Sequence, residues 1–389
     1  MTTVKNFNSA MPAAPVLSGT SGALITLLDA CLVTGFDTKS ASTLVVAGGV
    51  ATLTYTGTHS AGEGTIIAVS GVTGPLAASL NGDQRVTSVA ANTVRFATPA
   101  ADGTAGGSIT FKMAPAGWAK VFTGTNLAVY KSLDVASTGM FLRVDDSGPT
   151  NARLQVYEAM TDSSTGYGLT PLDSQCAGGL FWGKSSAANA SARAWFIVAD
   201  PRGVYFCAAP VLGSESYTAL YAGDLKSRKP GDAYGFVCTG NQTDQTSTSS
   251  IPNGCTGYSS RSATRTGAYV VRSQTTLGGS TPAHLIGAHH IGNSNEAYAG
   301  SAGYGFSSFP NAAGNELLTA ELEVNTGCLR GSLPGLLHPV QDMGAAFATG
   351  MTVDGTDAFT GKRLVAVRVG APLAAATGTI FFDRTGPWR

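Results

Sequence analysis

The feature that most constrains this chain is a series of short segments in which apolar and polar residues alternate. Val50–Tyr55 follows a Gly48-Gly49 pair, and Arg85–Val89 and Thr93–Phe96 flank a short turn. Alternation with a period of two places successive side chains on opposite faces of a β-strand. Strands of this length, separated by turns about every 8–12 residues, predict a small β-sandwich or barrel module over residues 41–115.

The rest of the chain, residues 116–389, shows the same kind of pattern over a longer stretch. Ala194–Ala199 and Val204–Ala208 flank the turn Asp200–Gly203, whose proline and glycine stand where type I turns prefer them. We therefore predict a mainly β chain of sandwich- or barrel-like modules, in which residues 116–389 form a larger β-rich domain. The small module is either an insertion into a domain that residues 1–40 help to build, or the second of three units in a row.

Residues 1–40 are predicted to hold an extended arm, residues 1–20, followed by the one amphipathic helix of the chain. Ser21 is a candidate N-cap, and Gly35 supplies a stop at the other end. The apolar stripe has helical spacing and consists of Leu24, Leu27, Leu28, Cys31 and Leu32. A helix this apolar must be covered, either by the chain's own sheet or by a partner subunit.

The charge content bears on the partners of the chain. It carries 24 basic and 24 acidic side chains among 389 residues, and only 12% of its residues are charged. Soluble domains average about 25% charged residues. Chains with few charges and no net charge tend to associate, which indicates an assembling subunit. A glycine-rich β protein with a polar, uncharged surface is the alternative.

The same composition argues against nucleic-acid and membrane partners. Binding to a phosphate backbone needs a basic patch, and the densest basic stretch is only Lys226, Arg228 and Lys229. No apolar run approaches the roughly 20 residues that span a bilayer, so we expect no membrane insertion. The amino-terminal residues lack the apolar segment of a signal peptide, so synthesis in a cytoplasm without export is expected.

One segment formally matches a phosphate-binding loop. Gly178–Ser185 fits the pattern G-x-x-x-x-G-K-[ST], with Lys184 as its lysine. That loop requires an apolar strand before it and a helix after it, and neither is indicated here. We therefore predict no nucleotide site. Phe181 and Trp182 are expected in the core, and Lys184 is expected in a solvated turn.

Three histidines, His284, His289 and His290, are close enough in sequence to suggest a transition-metal site. No cysteine or carboxylate lies inside that stretch, so we predict that they bind no metal. We likewise predict no cofactor and no catalytic residues.

The carboxylates and cysteines of the sequence do not indicate a catalytic or metal-binding site either. The adjacent Asp145 and Asp146 would point to opposite faces of a strand, and Asp146 is expected to stabilise a turn. The charged loop 224–232 is expected to be a solvated turn, with a salt-bridged subunit contact as the alternative. The cysteines form no CxxC pair and are expected to be mainly buried thiols, with Cys238 and Cys255 as one candidate disulfide.

Two parts of the chain resemble structural proteins of tailed-bacteriophage virions, of the tail and baseplate type. The first runs from Ala78 to Ala97 and contains A-x-L-N-G, V-x-x-V and N-T-x-x-F, a pattern of small β modules in virion and tail proteins. The second is Phe381–Arg389, together with Tyr221–Asp224 and Pro230–Tyr234. The resemblance implies a place in the virion and carries no catalytic residues.

By this resemblance the chain is a tail-tip or baseplate subunit that acts through protein–protein assembly, and it is not an enzyme. A capsid decoration protein and a host-receptor, glycan-binding module of the tail are the alternatives. The expected partners are further copies of the chain and other virion proteins. For the receptor-binding alternative, a host glycan would stack on Tyr258, Tyr298, Tyr304 and Phe306.

The surfaces expected to make assembly contacts are the arm, the helix stripe and the C-terminal segment. The candidate side chains are Leu24, Leu27, Leu28, Leu32 and Trp388. Each of them could equally belong to the core of its own chain.

Overall fold

The chain folds into several antiparallel sheets and one small barrel, so the prediction of a mainly β fold is confirmed. The computed structural model describes residues 3–247, 267–286, 309–310, 316–317, 319–339, 341, 343, 346–374 and 378–389. Every named pair of strands is antiparallel, which suits the short connections of the chain.

The amino-terminal region contains a short strand and a short helix. Its elements are β1 (Lys5–Asn8), α1 (Ala23–Leu28) and a π-helical segment (Asp29–Thr34). The prediction of one amphipathic α-helix is not confirmed in that form, because only six residues are α-helical before the wider π-helical turns begin. Gly35 ends the helix at a positive φ of 71°, as predicted. Ser21 does not cap it; its hydroxyl donates to the carbonyl of Ser147 instead.

Residues 36–113 form a closed barrel, which begins before the predicted module boundary at residue 41. Its elements are β2 (Phe36–Ala47), β3 (Val50–Tyr55), β4 (Ile66–Ser70), the short helix α2 (Ala77–Leu80), β5 (Gly82–Ala90), β6 (Thr93–Ala97), β7 (Gly103–Thr104) and β8 (Thr110–Met113). The order β3-β6-β5-β4-β8-β2 closes because β2 also pairs with β3. At twelve residues, β2 is long enough to pair with β8 near its start and with β3 near its end.

A five-stranded sheet follows the barrel in the chain. It contains β9 (Trp118–Gly124), β10 (Leu127–Ser132), β11 (Phe141–Asp145), β12 (Asn151–Tyr157) and, after the small ribbon of β13 (Ala159–Met160) and β14 (Gly166–Tyr167), β15 (Leu180–Gly183). Its order is β15-β12-β11-β10-β9, a meander to which β15 is added at the edge.

The remaining strands build one large sheet. They are β16 (Ala194–Asp200), β17 (Gly203–Ala209), β18 (Thr218–Asp224), β19 (Lys226–Ser227), β20 (Phe236–Thr239), β21 (Ala268–Val270), β22 (Thr281–Ile286), β23 (Thr319–Asn325), β24 (Leu329–Pro339), β25 (Thr352–Asp354), β26 (Arg363–Val369) and β27 (Gly378–Asp383). A 3-10 turn (Asp357–Phe359) precedes β26. The order is β1-β16-β17-β18-β20-β21-β22-β23-β24-β27-β26-β25, and β19 pairs with β24.

The large sheet is buried on both faces over β16, β17 and β18. Ile197 of β16 and Phe206 of β17 belong to a core shared with the barrel, the helix and the five-stranded sheet. Their chain neighbours Val198 and Tyr205 belong to a second core on the opposite face, with Trp388. Strands covered on both faces need apolar residues at every position, so these strands form continuous apolar runs instead of alternating.

The arm pairs with its own chain. β1 forms the edge strand beside β16, in a register that sets Lys5 opposite Ala199 and Asn8 opposite Phe196. Val4 and Phe7 are buried in the two cores. The chain therefore contributes a strand to the large sheet before it builds the barrel, and it returns to that sheet afterwards.

The packing of the Trp388 indole against β24 can be tested by mutation. Gly335 in β24 has a φ of +70°, and a Cβ there would lie 2.1 Å from Nε1 of the buried Trp388. We expect Gly335→Ala to lower the free energy of unfolding by about 2–5 kcal/mol, through left-handed backbone strain and displacement of a rigid ring. The free energy is measured by urea denaturation.

The matched control is Gly350→Ala. Gly350 has a φ of +91°, but a Cβ added to it would have no atom within 4 Å. Only the backbone strain of about 1–2 kcal/mol is expected there. Equal losses from the two variants would contradict the packing of Trp388 against Gly335.

Candidate functional site

The middle four residues of the segment that resembles a phosphate-binding loop form a β-strand. Residues 180–183 form β15, which pairs with β12 and is not followed by a helix. Trp182 is fully buried, as predicted, and its Nε1 donates to the carbonyl of Thr239 at 2.7 Å. Phe181 is only partly buried, and the guanidinium of Arg153 stacks 3.6 Å from its ring centroid. The segment therefore does not form a phosphate cradle.

The expectation that Lys184 lies in a solvated turn is wrong. Its side chain is fully buried and forms an ion pair with the equally buried Asp146. The ammonium donates to Oδ1 of Asp146 and, at 2.6 Å, to the carbonyl oxygen of Thr20. No surface of the ammonium is left from which to reach the phosphates of a nucleotide.

Asp146 is the N-terminal cap of α1, although it lies far away in sequence. Its Oδ2 accepts hydrogen bonds from the backbone N–H groups of Leu24, at 2.7 Å, and Ile25, at 3.1 Å. These are orphan donors of the first helical turn, and a carboxylate there is also favoured by the helix dipole. The prediction that Asp146 stabilises the turn is wrong; Asp145 does so, by accepting from the N–H of Ser147.

Burial dominates the electrostatics of this pair. Loss of water raises the pKa of Asp146 and lowers the pKa of Lys184, and the charge of each partner offsets this only in part. A buried ion pair of this kind adds little stability over an apolar pair, yet it is strongly destabilising to remove one partner. Lys184 is thus a structural group that holds Asp146 against the helix.

The candidate assembly side chains are all buried inside their own chain. Leu24, Leu27, Leu28 and Leu32 are completely buried in the core under the helix. Trp388 is 5% exposed, and its Nε1 donates to the carbonyl of Asp383 at 2.8 Å. In this structure these five residues fill the intrachain core, which is the alternative left open by the sequence, and their side chains present almost no surface to a second subunit.

The charged loop 224–232 is tied to its own chain by ion pairs. Arg202 contacts Asp224 at 2.9 Å, and the fully buried Arg330 contacts Asp232 at 2.7 Å. Lys226, half exposed, reaches Glu321 of β23 at 2.8 Å. A cleft of about 580 Å³ lies beside this loop. The carboxylates of Asp224 and Asp232 are engaged within the chain, whereas Lys226 and Arg228 remain exposed, so the loop is partly solvated, as expected, and is also tied to its own chain.

Several predictions lie wholly or partly outside the described residues. His284 is in β22, and among the described residues no group of three or more His, Cys, Asp or Glu side chains gathers around one point. Four described cysteines, Cys31, Cys176, Cys207 and Cys238, are buried, as expected, and Cys328 is exposed. The residues outside the described parts are Cys255, Tyr258, His289, His290, Tyr298, Tyr304 and Phe306.

The sequence analysis did not identify an exposed apolar loop between β10 and β11. Leu133 is 66% exposed, and Val135 is fully exposed. The loop is nevertheless fixed, because the N–H and hydroxyl of Thr138 donate to the buried carboxylate of Asp224 at 3.1 and 2.5 Å. The only sequence signal is the pair of apolar residues at 133 and 135 in an otherwise polar turn.

His59 is a buried histidine with a defined tautomer. Its Nδ1 accepts from the N–H of Ala61 at 2.8 Å, so Nε2 carries the proton and donates to the carbonyl of Asp37 at 2.9 Å. The ring packs against Tyr55 and Phe111 in the barrel. Burial lowers the pKa of His59, although the carboxylate of Asp37 acts in the opposite sense. The histidine therefore has a structural role in its neutral form.

Comparison with known proteins adds no family assignment. No protein-family model matches the chain, and no curated protein is similar to it in sequence. None of the helices among the described residues is both long and apolar enough to cross a bilayer.

The buried ion pair predicts an asymmetric response to mutation. Lys184→Met leaves the carboxylate of Asp146 buried without its cation, so we expect the free energy of unfolding to fall by about 3–5 kcal/mol. The double variant Lys184→Met/Asp146→Asn leaves no buried charge, so its free energy of unfolding should fall by less. Both are measured by urea denaturation.

The control for this pair is Lys120→Met. Lys120 pairs with Asp29 at 2.5 Å, but both side chains are partly exposed. Such a pair is worth up to about 1 kcal/mol. A loss at Lys184 no larger than the loss at Lys120, or nucleotide binding that depends on Lys184, would count against the structural role.

His59 predicts a pH dependence. Because its folded pKa lies below the unfolded value of about 6.5, the unfolded chain takes up the proton first as the pH falls. The contribution of neutral His59 is therefore complete above about pH 6.5 and is lost below it. We expect the free energy of unfolding to fall between pH 7 and pH 5 with a steeper slope in the wild type than in His59→Gln. Identical slopes would show that His59 does not titrate on unfolding.

Proposed function

We propose that the chain is a structural component of a tailed-phage virion, a tail-tip or baseplate subunit that acts through protein–protein assembly and not as an enzyme. Its partners would be further copies of itself and other virion proteins, and its place would be the virion. The resemblance of residues 78–97 and 381–389 to virion proteins supports the phage assignment. The low charge of the chain, 12% of its residues, supports an assembling subunit.

The observation that carries the assembly proposal is the fixed apolar loop between β10 and β11. Leu133 and Val135 are exposed on a loop that is held on both sides, because Thr138 donates to Asp224 and the N–H of Leu133 donates to the carbonyl of Gly117 at 3.1 Å. The loop borders a cavity of about 530 Å³ that is lined in part by Pro115 and Pro201. Exposed apolar surface on a rigid element is typical of a contact with another protein.

The ends of the large sheet bear on how subunits would meet. The strands at its two ends, β1 and β25, are only four and three residues long. Short edge strands are one way in which proteins prevent pairing with other chains. Contact through side chains, as at Leu133 and Val135, is therefore favoured over strand addition at these edges.

Mass in solution tests the proposal. Light scattering on a size-exclusion column, over a range of concentrations, is expected to show a defined oligomer for the wild type. Leu133→Asp/Val135→Asp buries two charges in the proposed contact and is expected to weaken association at least tenfold. Circular dichroism checks that the variant retains its strand content.

Leu212→Asp is the matched control, because Leu212 is 63% exposed on a different loop, between β17 and β18. It should associate like the wild type. A wild-type monomer at all concentrations would rule out self-assembly through this loop. The virion location itself is tested by mass spectrometry of purified phage particles. If the chain is a virion component, it should be present there in a stoichiometric amount.

A further inference from the structure

Three arginines converge on a cavity between the barrel and the large sheet. Arg85 lies on β5 of the barrel, Arg363 begins β26, and Arg384 directly follows β27. Together with Glu63 and three threonines, they line a cavity of about 360 Å³. The cavity thus combines groups from two parts of the chain that are about 300 residues apart.

Two of the guanidinium groups are held by neutral oxygen atoms. Arg85 donates to the carbonyls of Gly64, Arg384 and Thr385 at 3.2, 3.1 and 2.8 Å. Arg384 donates to the carbonyl of Glu63 at 2.6 Å and to the hydroxyl of Thr352 at 3.1 Å. These bonds fix the orientation of both groups but leave their positive charges uncompensated.

Of the three arginines, only Arg363 forms ion pairs with carboxylates. Glu63 also attracts Arg384, but less strongly than Arg85 and Arg363 repel it. Arg363 contacts Asp354, which is 82% exposed, at 3.1 Å and Glu63 at 3.9 Å. Asp383 acts on Arg85 at longer range, but its carboxylate already pairs with Lys362 at 3.2 Å. Among the described residues, neither Arg85 nor Arg384 forms an ion pair.

The lining of the cavity holds three guanidinium groups and the one carboxylate of Glu63, and Asp354 pairs with Arg363 from outside the lining, so an excess of one positive charge remains. Burial, together with repulsion by Arg85 and Arg363, lowers the pKa of Arg384 to about 10, which still leaves it cationic at neutral pH. Like charges gathered in a partly desolvated cavity repel one another, and a bound anion would relieve that repulsion.

The backbone around the cavity is shaped to hold these groups in place. A Cβ on Gly64, whose φ is +76°, would lie 2.6 Å from a terminal nitrogen of Arg384, so the glycine lets the guanidinium take its present position. The bonds to carbonyls occupy three of the five N–H groups of Arg85, and others remain for a ligand. Fixed guanidinium groups bind oxyanions with little further loss of entropy.

We propose that Arg85, Arg363 and Arg384 form a binding site for a phosphate group. A phosphate group suits a cavity in which guanidinium groups outnumber carboxylates, because its tetrahedral oxygens can accept from guanidinium groups on several sides. The site is separate from the apolar loop at Leu133 and does not depend on the proposed assembly function.

Titration calorimetry of the full chain with inorganic phosphate, at constant ionic strength and pH 7, tests the site. Saturable binding to one site is expected. Arg384→Gln and Arg363→Gln should each weaken it roughly tenfold or more, since a charge-assisted hydrogen bond is lost. Arg95→Gln is the matched control, because Arg95 is an exposed arginine on β6 outside the cavity. The affinity of this variant for phosphate should equal that of the wild type.

Arg363 is half exposed, so its variant is expected to fold even if Arg384→Gln does not. Absence of saturable binding by the wild type, or wild-type affinity in Arg363→Gln, would overturn the proposal. Titration with glucose 6-phosphate separates two sources of the group: binding would favour a sugar-linked phosphate, and binding of inorganic phosphate alone would favour the free ion. Tighter binding of acetate than of phosphate would overturn the choice of phosphate.

Discussion

The buried contact between Asp146 and Lys184 joins three parts of the chain that are distant in sequence. The carboxylate holds the first turn of α1, the turn after β11 carries Asp146, and Lys184 directly follows β15. A helix of six residues is far too short to be stable alone, so its formation depends on such tertiary contacts. Because neither charge can be buried without the other, the pair also specifies how the helix sits against the five-stranded sheet.

At the other end of the helical segment, backbone carbonyl groups accept hydrogen bonds from the residues that follow the barrel. The N–H groups of Ala116 and Gly117 donate to the carbonyls of Cys31 and Leu32 at 2.9 and 3.1 Å. The same short segment therefore receives its cap from the five-stranded sheet and its closing bonds from the exit of the barrel. These hydrogen bonds fix the positions at which the chain enters and leaves the barrel. Arg85 adds a contact between the barrel and the residues that follow β27.

The sequence could predict elements whose signal is local, and it failed where the determinant is distant. Val50–Tyr55 coincides with β3, because alternate side chains face the barrel interior. β2 was largely missed, because its residues 36–43 are mostly polar and only partly buried. The apolar stripe located the helix, but the shift to π-helical turns leaves no mark in the spacing. The roles of Asp146 and Lys184 depend on each other, and no local pattern links positions 38 residues apart.

The cavity of the three arginines illustrates the same limit and bears on function. Its members come from different strands and have no shared motif, so only the folded chain reveals that their charges add. In a protein with so few charges, most of the buried acidic groups pair within the chain, as Asp224 and Asp232 do. Recognition by charge is then concentrated where cations outnumber carboxylates, and recognition elsewhere must rely on shape and apolar contact. The loop at Leu133 and Val135 offers such an apolar contact. The apolar loop and the arginine cavity therefore differ in chemistry, and each can be altered by mutation without changing the other.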